Sequence, residues 1–213
     1  CWEKKFKKFI LYHIIHSLPT QMISLSHKLI LASNSPRRKQ LLEEAGFQFE
    51  VKVMPTDESY PADLDPMEVA AYISAVKATQ FTQIHEQDII LTADTVVVVD
   101  EQILGKPKDK AEALAMIRLL SGRTHQVITA ISLKKGDEIQ TISDIATVYF
   151  ASLSTEEIEY YVDQYAPYDK AGAYGIQEWI GMIGISKIEG SFYTIMGLPI
   201  HHVYQLLKPY IQF

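Results

Sequence analysis

The stretch Leu29–Gly46, LILASNSPRRKQLLEEAG, constrains the fold more than any other, because it feeds a strand directly into a helix. The apolar run ends at Ala32-Ser33. Ser35 is placed as an N-cap, Pro36 suits the first helical position and Gly46 suits the C-terminal stop. Arg37 and Arg38 fall in the first turn, where the helix dipole already disfavours cations. Free backbone N–H groups, two guanidinium groups and a hydroxyl-rich turn therefore converge on one spot suited to a polyanion such as a phosphate chain. The same residues also fit an ordinary capped surface helix whose arginines face water.

Alternating elements follow. Lys28–Ala32 reads as a buried strand and Pro36–Ala45 as a helix, while Phe47–Val53 alternates apolar and polar residues like a half-buried strand. Asp65, Pro66 and Glu68 predict a cap, first position and capping-box acid for a helix running to about His85. Two β-branched runs flank Asp94, and a helix is expected over Lys110–Leu120. A hairpin is expected around Gly136-Asp137. Ser154 and Glu157 predict a capped helix to about Tyr165, followed by a short strand near Ile183–Ile188 and a last helix from about Leu198. The fold class is α/β, a mixed, strongly twisted sheet flanked by helices, with a division into two lobes left open.

The chain of 213 residues suits one sizeable domain. Its formal charge of −6 argues against a broad nucleic-acid-binding surface. Residues 1–28 carry five lysines and one glutamate, an excess of +4, so the rest of the chain stands at −10. A few clustered cations on an acidic body fit a focused anion site. The single cysteine, Cys1, excludes a disulfide within the chain and agrees with a cytoplasmic location. Residues 1–26 are read as an N-terminal extension, non-native or disordered, with Met22 as the expected start and 27–213 as the domain. Its basic, apolar beginning lacks a cleavage pattern and is too short and polar to span a bilayer.

Asp94 stands inside a run otherwise fit for a buried strand, so it must lie at a strand end, be paired or bind a metal. Lys106, in LGKP, can return to the same face, and Lys77 lies among small apolar helix residues and can reach inward. Asp57 and Glu58 lie in a polar loop and suit Mg²⁺, although solvated loops commonly hold such residues. In DKAGAYGIQ, Asp169–Gln177, glycines permit close backbone approach, Tyr174 offers a stacking ring and Gln177 an amide for a base edge. Each also fits a plain structural role. The adjacent His201-His202 is read as incidental, and no nucleophile elbow, dinucleotide fingerprint or zinc pattern is present.

SNSPRRKQLLEEAG, ADTVVVVDEQILGKP, LLSGRTHQVITA, DKAGAYGIQ and MGLP occur in this order, and together they resemble the Maf family. Its members are nucleoside triphosphate pyrophosphatases also called septum formation inhibitors. The resemblance covers about Lys28 to Leu207 and implies a fold like that of inosine triphosphate pyrophosphatases, two lobes with a central cleft. It also implies divalent-metal-dependent hydrolysis, with Mg²⁺ or Mn²⁺, of a nucleoside triphosphate to monophosphate and pyrophosphate. SPRR and AGAYGIQ are the forms of the dTTP/UTP branch; the 7-methyl-GTP branch carries a tryptophan before its arginines, where this chain has Pro36.

By matching position, Asp94 corresponds to the family's proton acceptor, and Arg37, Thr95 and Gln177 to positions tied to substrate specificity. Ser33, Arg38, Glu58, Lys77 and Lys106 match the cleft lining, with Glu58 as a metal ligand and Asp94 as either the base or a second metal ligand, which the sequence does not separate. The resemblance further implies a nucleoside triphosphate as partner, no nucleic acid or membrane, a homodimer and a link to cell-division arrest. Alternatives are a 7-methyl-GTP or broad modified-nucleotide pyrophosphatase, and a non-enzymatic nucleotide-binding regulator of division.

Overall fold

A computed structural model describes residues 22–212. Most of the expected N-terminal extension lies outside the described residues. Its last part does not stand apart from the domain. Strand β1 (Ser24–Leu25) pairs antiparallel with the C-terminal strand β9 (Ile211–Gln212), and Ile23 bridges to Phe47. Backbone pairing thus reaches back past the boundary expected at residue 26.

The main sheet is mixed and runs in the order β3-β2-β4-β6-β7-β8. Here β2 is Lys28–Leu31, β3 Glu50–Val51, β4 Asp88–Val99, β6 Thr124–Lys135, β7 Glu138–Phe150 and β8 Ile185–Glu189. Strand β2 pairs parallel with both β3 and β4, whereas β4, β6, β7 and β8 are joined antiparallel. Long β-branched runs form β4, β6 and β7 because a pleated surface accommodates their stiff side chains.

One edge of β4 changes partner along its length. Ile89, Ile90 and Leu91 pair with β2, and Val97–Val99 pair with β5 (Gln102–Leu104). Between these pairings, Ala93–Val96 has no strand beside it on that edge among the described residues. This gap, where a parallel neighbour gives way to an antiparallel one, is where the cleft forms.

Helix α1 (Pro36–Glu44) follows β2 and buries Leu41 and Leu42 against β2 and β4. Its Ser35 N-cap makes no side-chain capping bond; Ser33 Oγ instead accepts from Ser35 N at 3.2 Å. Gly46, at φ 84°, ends the helix as expected.

Helix α2 covers Val69–Thr79, shorter than the predicted span. Asp65 closes a turn by accepting from Met67 N, so Pro66–Glu68 precedes the helix rather than opening it. The predicted Phe47–Val53 strand shrinks to two exposed residues, because it lies at the sheet edge with one neighbour. The remaining helices are α3 (Lys110–Leu120), α4 (Thr155–Tyr165, with the predicted capping box), α5 (Trp179–Gly184), α6 (Phe192–Met196) and α7 (Ile200–Leu207). Trp179–Gly184 is helical, so the predicted late strand starts only at Ile185.

Helix α2 packs on the sheet face carrying Val96, Val98, Ile128 and Ala130. Helices α1, α6 and α7 pack on the other face around Leu91, Ala93 and Ile131. Among the described residues, no helix is long and apolar enough to cross a membrane.

Candidate active site

The β4 gap opens into a cleft of about 350 Å³ lined by residues from β2, α1, α2, β4, the loop at Lys106 and the segment Asp169–Gln177. Of the residues singled out from the sequence, Ser33, Arg37, Arg38, Glu58, Lys77 and Asp94 line it, with Thr95, Lys106 and Gln177, whereas Asp57 does not. The sequence left open whether Asp94 lies at a strand end, is paired or binds metal. It lies within continuous β4, and it is paired.

Lys77 Nζ lies 2.7 Å from Asp94 Oδ1 and 2.9 Å from Glu58 Oε1. Helix α2 is set for this contact one turn earlier. There Ser74 and Thr92 share a buried hydroxyl network, with Thr92 Oγ1 donating to Ser74 O at 2.8 Å and Ser74 Oγ lying 2.9 Å from Ser132 Oγ. Residues three apart on a helix share a face, so locking Ser74 over Thr92 brings Lys77 over Asp94, two residues along the strand.

Burial works against the Glu58 carboxylate, but the hydrogen bond and charge of Lys77, with the charges of Lys106 and Arg38, outweigh it and hold its pKa below the ordinary value. Asp57 turns away and accepts from Ser59 N at 2.9 Å, within its own loop.

The two arginines diverge. Arg37 crosses the cleft mouth to Asp169, its Nη1 donating to Oδ2 at 2.7 Å. Arg38 lies beneath, its Nε donating to Gly197 O at 2.7 Å and Nη1 to Ala93 O at 2.9 Å and Ser33 Oγ at 3.3 Å. Its Nη2 donates to Thr95 Oγ1 at 3.0 Å. The guanidinium therefore occupies the unpaired edge of β4. A guanidinium has five N–H donors, so Arg38 keeps one for a ligand.

Thr95 Oγ1 lies 2.9 Å from Thr129 Oγ1, which itself donates to Thr194 O at 2.7 Å. Thr95 thus accepts from Arg38 and donates to Thr129, and its hydroxyl has no proton left for a base. Gln177 differs: it is exposed at the cleft, and its amide has no hydrogen-bond partner among the described residues.

Asp169 and Lys170 were not singled out by sequence reasoning, although DKAGAYGIQ was. Lys170 Nζ lies 2.7 Å from Asp169 Oδ1 and 3.0 Å from Glu178 Oε1, while Glu178 accepts from Tyr161 OH. The Tyr161 oxygen also accepts from Gly175 N at 3.0 Å, which fixes the glycine segment against α4. A Cβ at Gly175 would fall 2.8 Å from Glu178 Cδ, so a larger residue there would shift the carboxylate that holds Tyr161 and Lys170.

Tyr174 offers no stacking face. Its buried ring makes edge-on contacts with His125 and Phe150, and its hydroxyl lies 2.7 Å from His125 Nε2. Burial pushes the His125 imidazole down to about 4, whereas an unfolded chain titrates near ~6.5. The unfolded state therefore binds more protons between those values. His125 contributes stability that is full above ~pH 6.5 and falls as pH drops toward the folded value. Stability is expected to fall by about 2 kcal/mol between ~pH 7.5 and ~pH 5 through this group alone. Urea unfolding at the two pH values checks it, and His125→Phe should flatten that dependence.

The implied divalent cation can be tested against the donors. Glu58 and Asp94 each give one oxygen to Lys77, and their second oxygens have no hydrogen-bond partner among the described residues. Two carboxylates beside a phosphate-sized cleft match the oxygen set that Mg²⁺ or Mn²⁺ completes with phosphate and water. The donors fit.

The chain matches the family model described as Maf-like protein over residues 28–210. A dTTP/UTP pyrophosphatase of Porphyromonas gingivalis (strain ATCC 33277) is 50% identical over 188 residues, covering 86% of this chain and 94% of that protein. A protein of the same name from Bacteroides thetaiotaomicron is 50% identical over 184 residues, covering 85% and 95%. The solved structure of the Staphylococcus aureus Ham1 protein shares 15% identity at a TM-score of 0.48, covering 85% of this chain and 98% of that one. The match across nearly all of the described residues is decisive: this chain belongs to the Maf-like protein family.

Proposed function

We propose that this protein hydrolyses dTTP and UTP to the monophosphate and pyrophosphate. The observation that carries the reading is one cleft in which a strand carboxylate, Asp94, faces cations on three other elements: Arg37, Lys77 and Lys106. The names of the half-identical relatives support the substrate.

In this reading Lys77 fixes Oδ1 of Asp94 and leaves Oδ2 to accept a proton from the attacking water. The water oxygen bonds to the α-phosphorus, the bond from that phosphorus to the bridging oxygen breaks, and pyrophosphate leaves with the electron pair. Lys106, exposed and without an ion-pair partner among the described residues, offsets charge on the leaving group. Arg37 exchanges Asp169 for a phosphate oxygen. Arg38 builds the floor and presents its remaining N–H. Glu58 would hold a divalent cation, which supplies Lewis-acid stabilisation of the phosphate charge, while Asp94 keeps Oδ2 as the base.

Gln177 reads the pyrimidine edge, and Thr95 acts by holding Arg38. Gln177→Ala is expected to leave folding unchanged and to cut the preference for dTTP over a purine triphosphate about tenfold or more in kcat/KM. Steady-state kinetics on both substrates measures it. An unchanged ratio removes Gln177 from base recognition.

A panel of dTTP, UTP, 7-methyl-GTP and the common purine triphosphates with Mg²⁺ or Mn²⁺, with product analysis, tests the whole reading. Preferential release of pyrophosphate from dTTP and UTP is expected. Preference for 7-methyl-GTP would move the protein to another branch, and no pyrophosphate from any substrate would leave a binding role. The same reading carries a cytoplasmic location and a homodimer, checked by fractionation and light scattering.

A further inference from the structure

Across the sheet from the cleft lies a second group of potential ligands. Thr95, Thr129 and Asp144 are register partners on β4, β6 and β7, so their side chains share one face of the sheet. Two strand spacings place Asp144 about 10 Å from Thr95. At Asp144 the row meets His201 and His202, in the first turn of α7. One ligand atom from each of Asp144, His201 and His202 lies within 4.8 Å of the others. None of the three lines the cleft.

The local hydrogen bonds prepare these atoms for a cation. Nδ1 of His202 lies 3.1 Å from Gln205 Oε1, an oxygen that can only accept, so the tautomer with its proton on Nδ1 satisfies this contact. In that tautomer Nε2 offers its lone pair on the side of Asp144 Oδ1, 3.9 Å away. That separation is too long for a hydrogen bond and brings a lone pair toward a carboxylate oxygen. It is close to the span of two ligands that each bond one ion at ~2.1 Å.

The other carboxylate oxygen, Oδ2, accepts from Thr194 Oγ1, which orients the group. Partner bonds of this kind, on the far side of an imidazole and of a carboxylate, are the usual supports of metal ligands. The His201 ring lies against that of His202, with centroids 3.8 Å apart, although neighbouring helical side chains ordinarily diverge.

We propose that Asp144, His201 and His202 form a transition-metal site, separate from the cleft, that takes Zn²⁺ or Ni²⁺ in preference to Mg²⁺. Two imidazoles and one carboxylate suit borderline ions, whereas Mg²⁺ favours all-oxygen surroundings. The remaining position stays open to water. Thr194 ties the site to the cleft floor, since its hydroxyl holds Asp144 and its carbonyl holds Thr129.

Equilibrium dialysis of Zn²⁺ against the full chain, without nucleotide, tests this. The double variant H201A/H202A is expected to bind one equivalent fewer than the parent, and the same difference of one equivalent is expected when both are made in a Glu58→Gln background, whatever the cleft itself takes. Gln205→Ala, an exposed change that removes no ligand, is expected to weaken that equivalent about 10- to 100-fold. Equal stoichiometry in the parent and H201A/H202A would overturn the proposal. So would disappearance of the difference in the Glu58→Gln background, which would place the ion in the cleft. If Mg²⁺ at equal concentration displaces the bound Zn²⁺, the stated preference fails.

Discussion

Asp94→Asn is expected to lower kcat for dTTP about a hundred- to ten-thousand-fold, with KM moving only a few-fold. Asparagine keeps the volume of the side chain and an oxygen for Lys77, so the cleft should persist. What it loses is the basic oxygen that faces the cleft. The contrast between kcat and KM is diagnostic, because a group used only in the transition state lowers turnover without weakening ground-state binding. Initial-rate kinetics with pyrophosphate detection measures it. Near-normal turnover with unchanged metal binding would remove Asp94 as proton acceptor. Lys77 remains paired with Glu58 in the variant, so gross unfolding is not expected.

Arg38→Ala should act on a different quantity. Losing this side chain strips donors from Gly197 O, Ala93 O, Ser33 Oγ and Thr95 Oγ1 together. Ser33 Oγ and Thr95 Oγ1 keep their bonds to Ser35 N and Thr129 Oγ1, whereas Gly197 O and Ala93 O lose a charged donor. Each buried acceptor so deprived costs about 1–3 kcal/mol, so a loss of about 3–5 kcal/mol in unfolding free energy is expected. Lysine should rescue little, because a point-like ammonium cannot reproduce a planar fork that reaches three segments. Urea unfolding of both variants decides the matter. If Arg38 were chiefly a phosphate ligand, activity would fall while stability stayed within about 1 kcal/mol.

The contrast between the two arginines marks what the sequence could and could not reveal. Asp94 was legible because a carboxylate within a β-branched run has few affordable surroundings. The strand-to-helix turn was legible from apolar pattern, proline and glycine. Nothing local distinguishes Arg37 from Arg38. Their roles depend on Asp169 and Gly197, far along the chain, and on a backbone carbonyl, Ala93 O, exposed by a change of strand partner.

Other expectations failed for physical reasons of the same kind. Phe47–Val53 has a strand's alternation but only one neighbour to pair with. Asp65 has a cap's chemistry but spends it on a turn. For His201 and His202, adjacent and near the C-terminus, no local pattern joins them to Asp144, and it is the fold that lays them together beside it.

In the proposed reading, the pairing of Arg37 with Asp169 has a consequence for what can stay bound. A substrate phosphate must displace a carboxylate that is already in place, so this contact alone is an exchange with little net gain. Only a ligand that makes this exchange and also reaches Lys106 accumulates useful affinity. A triphosphate is long enough to do both and a monophosphate is not. Asp169 would therefore act as a tethered competitor that returns when the chain of phosphates is cut, which favours release of the nucleoside monophosphate and limits inhibition by it.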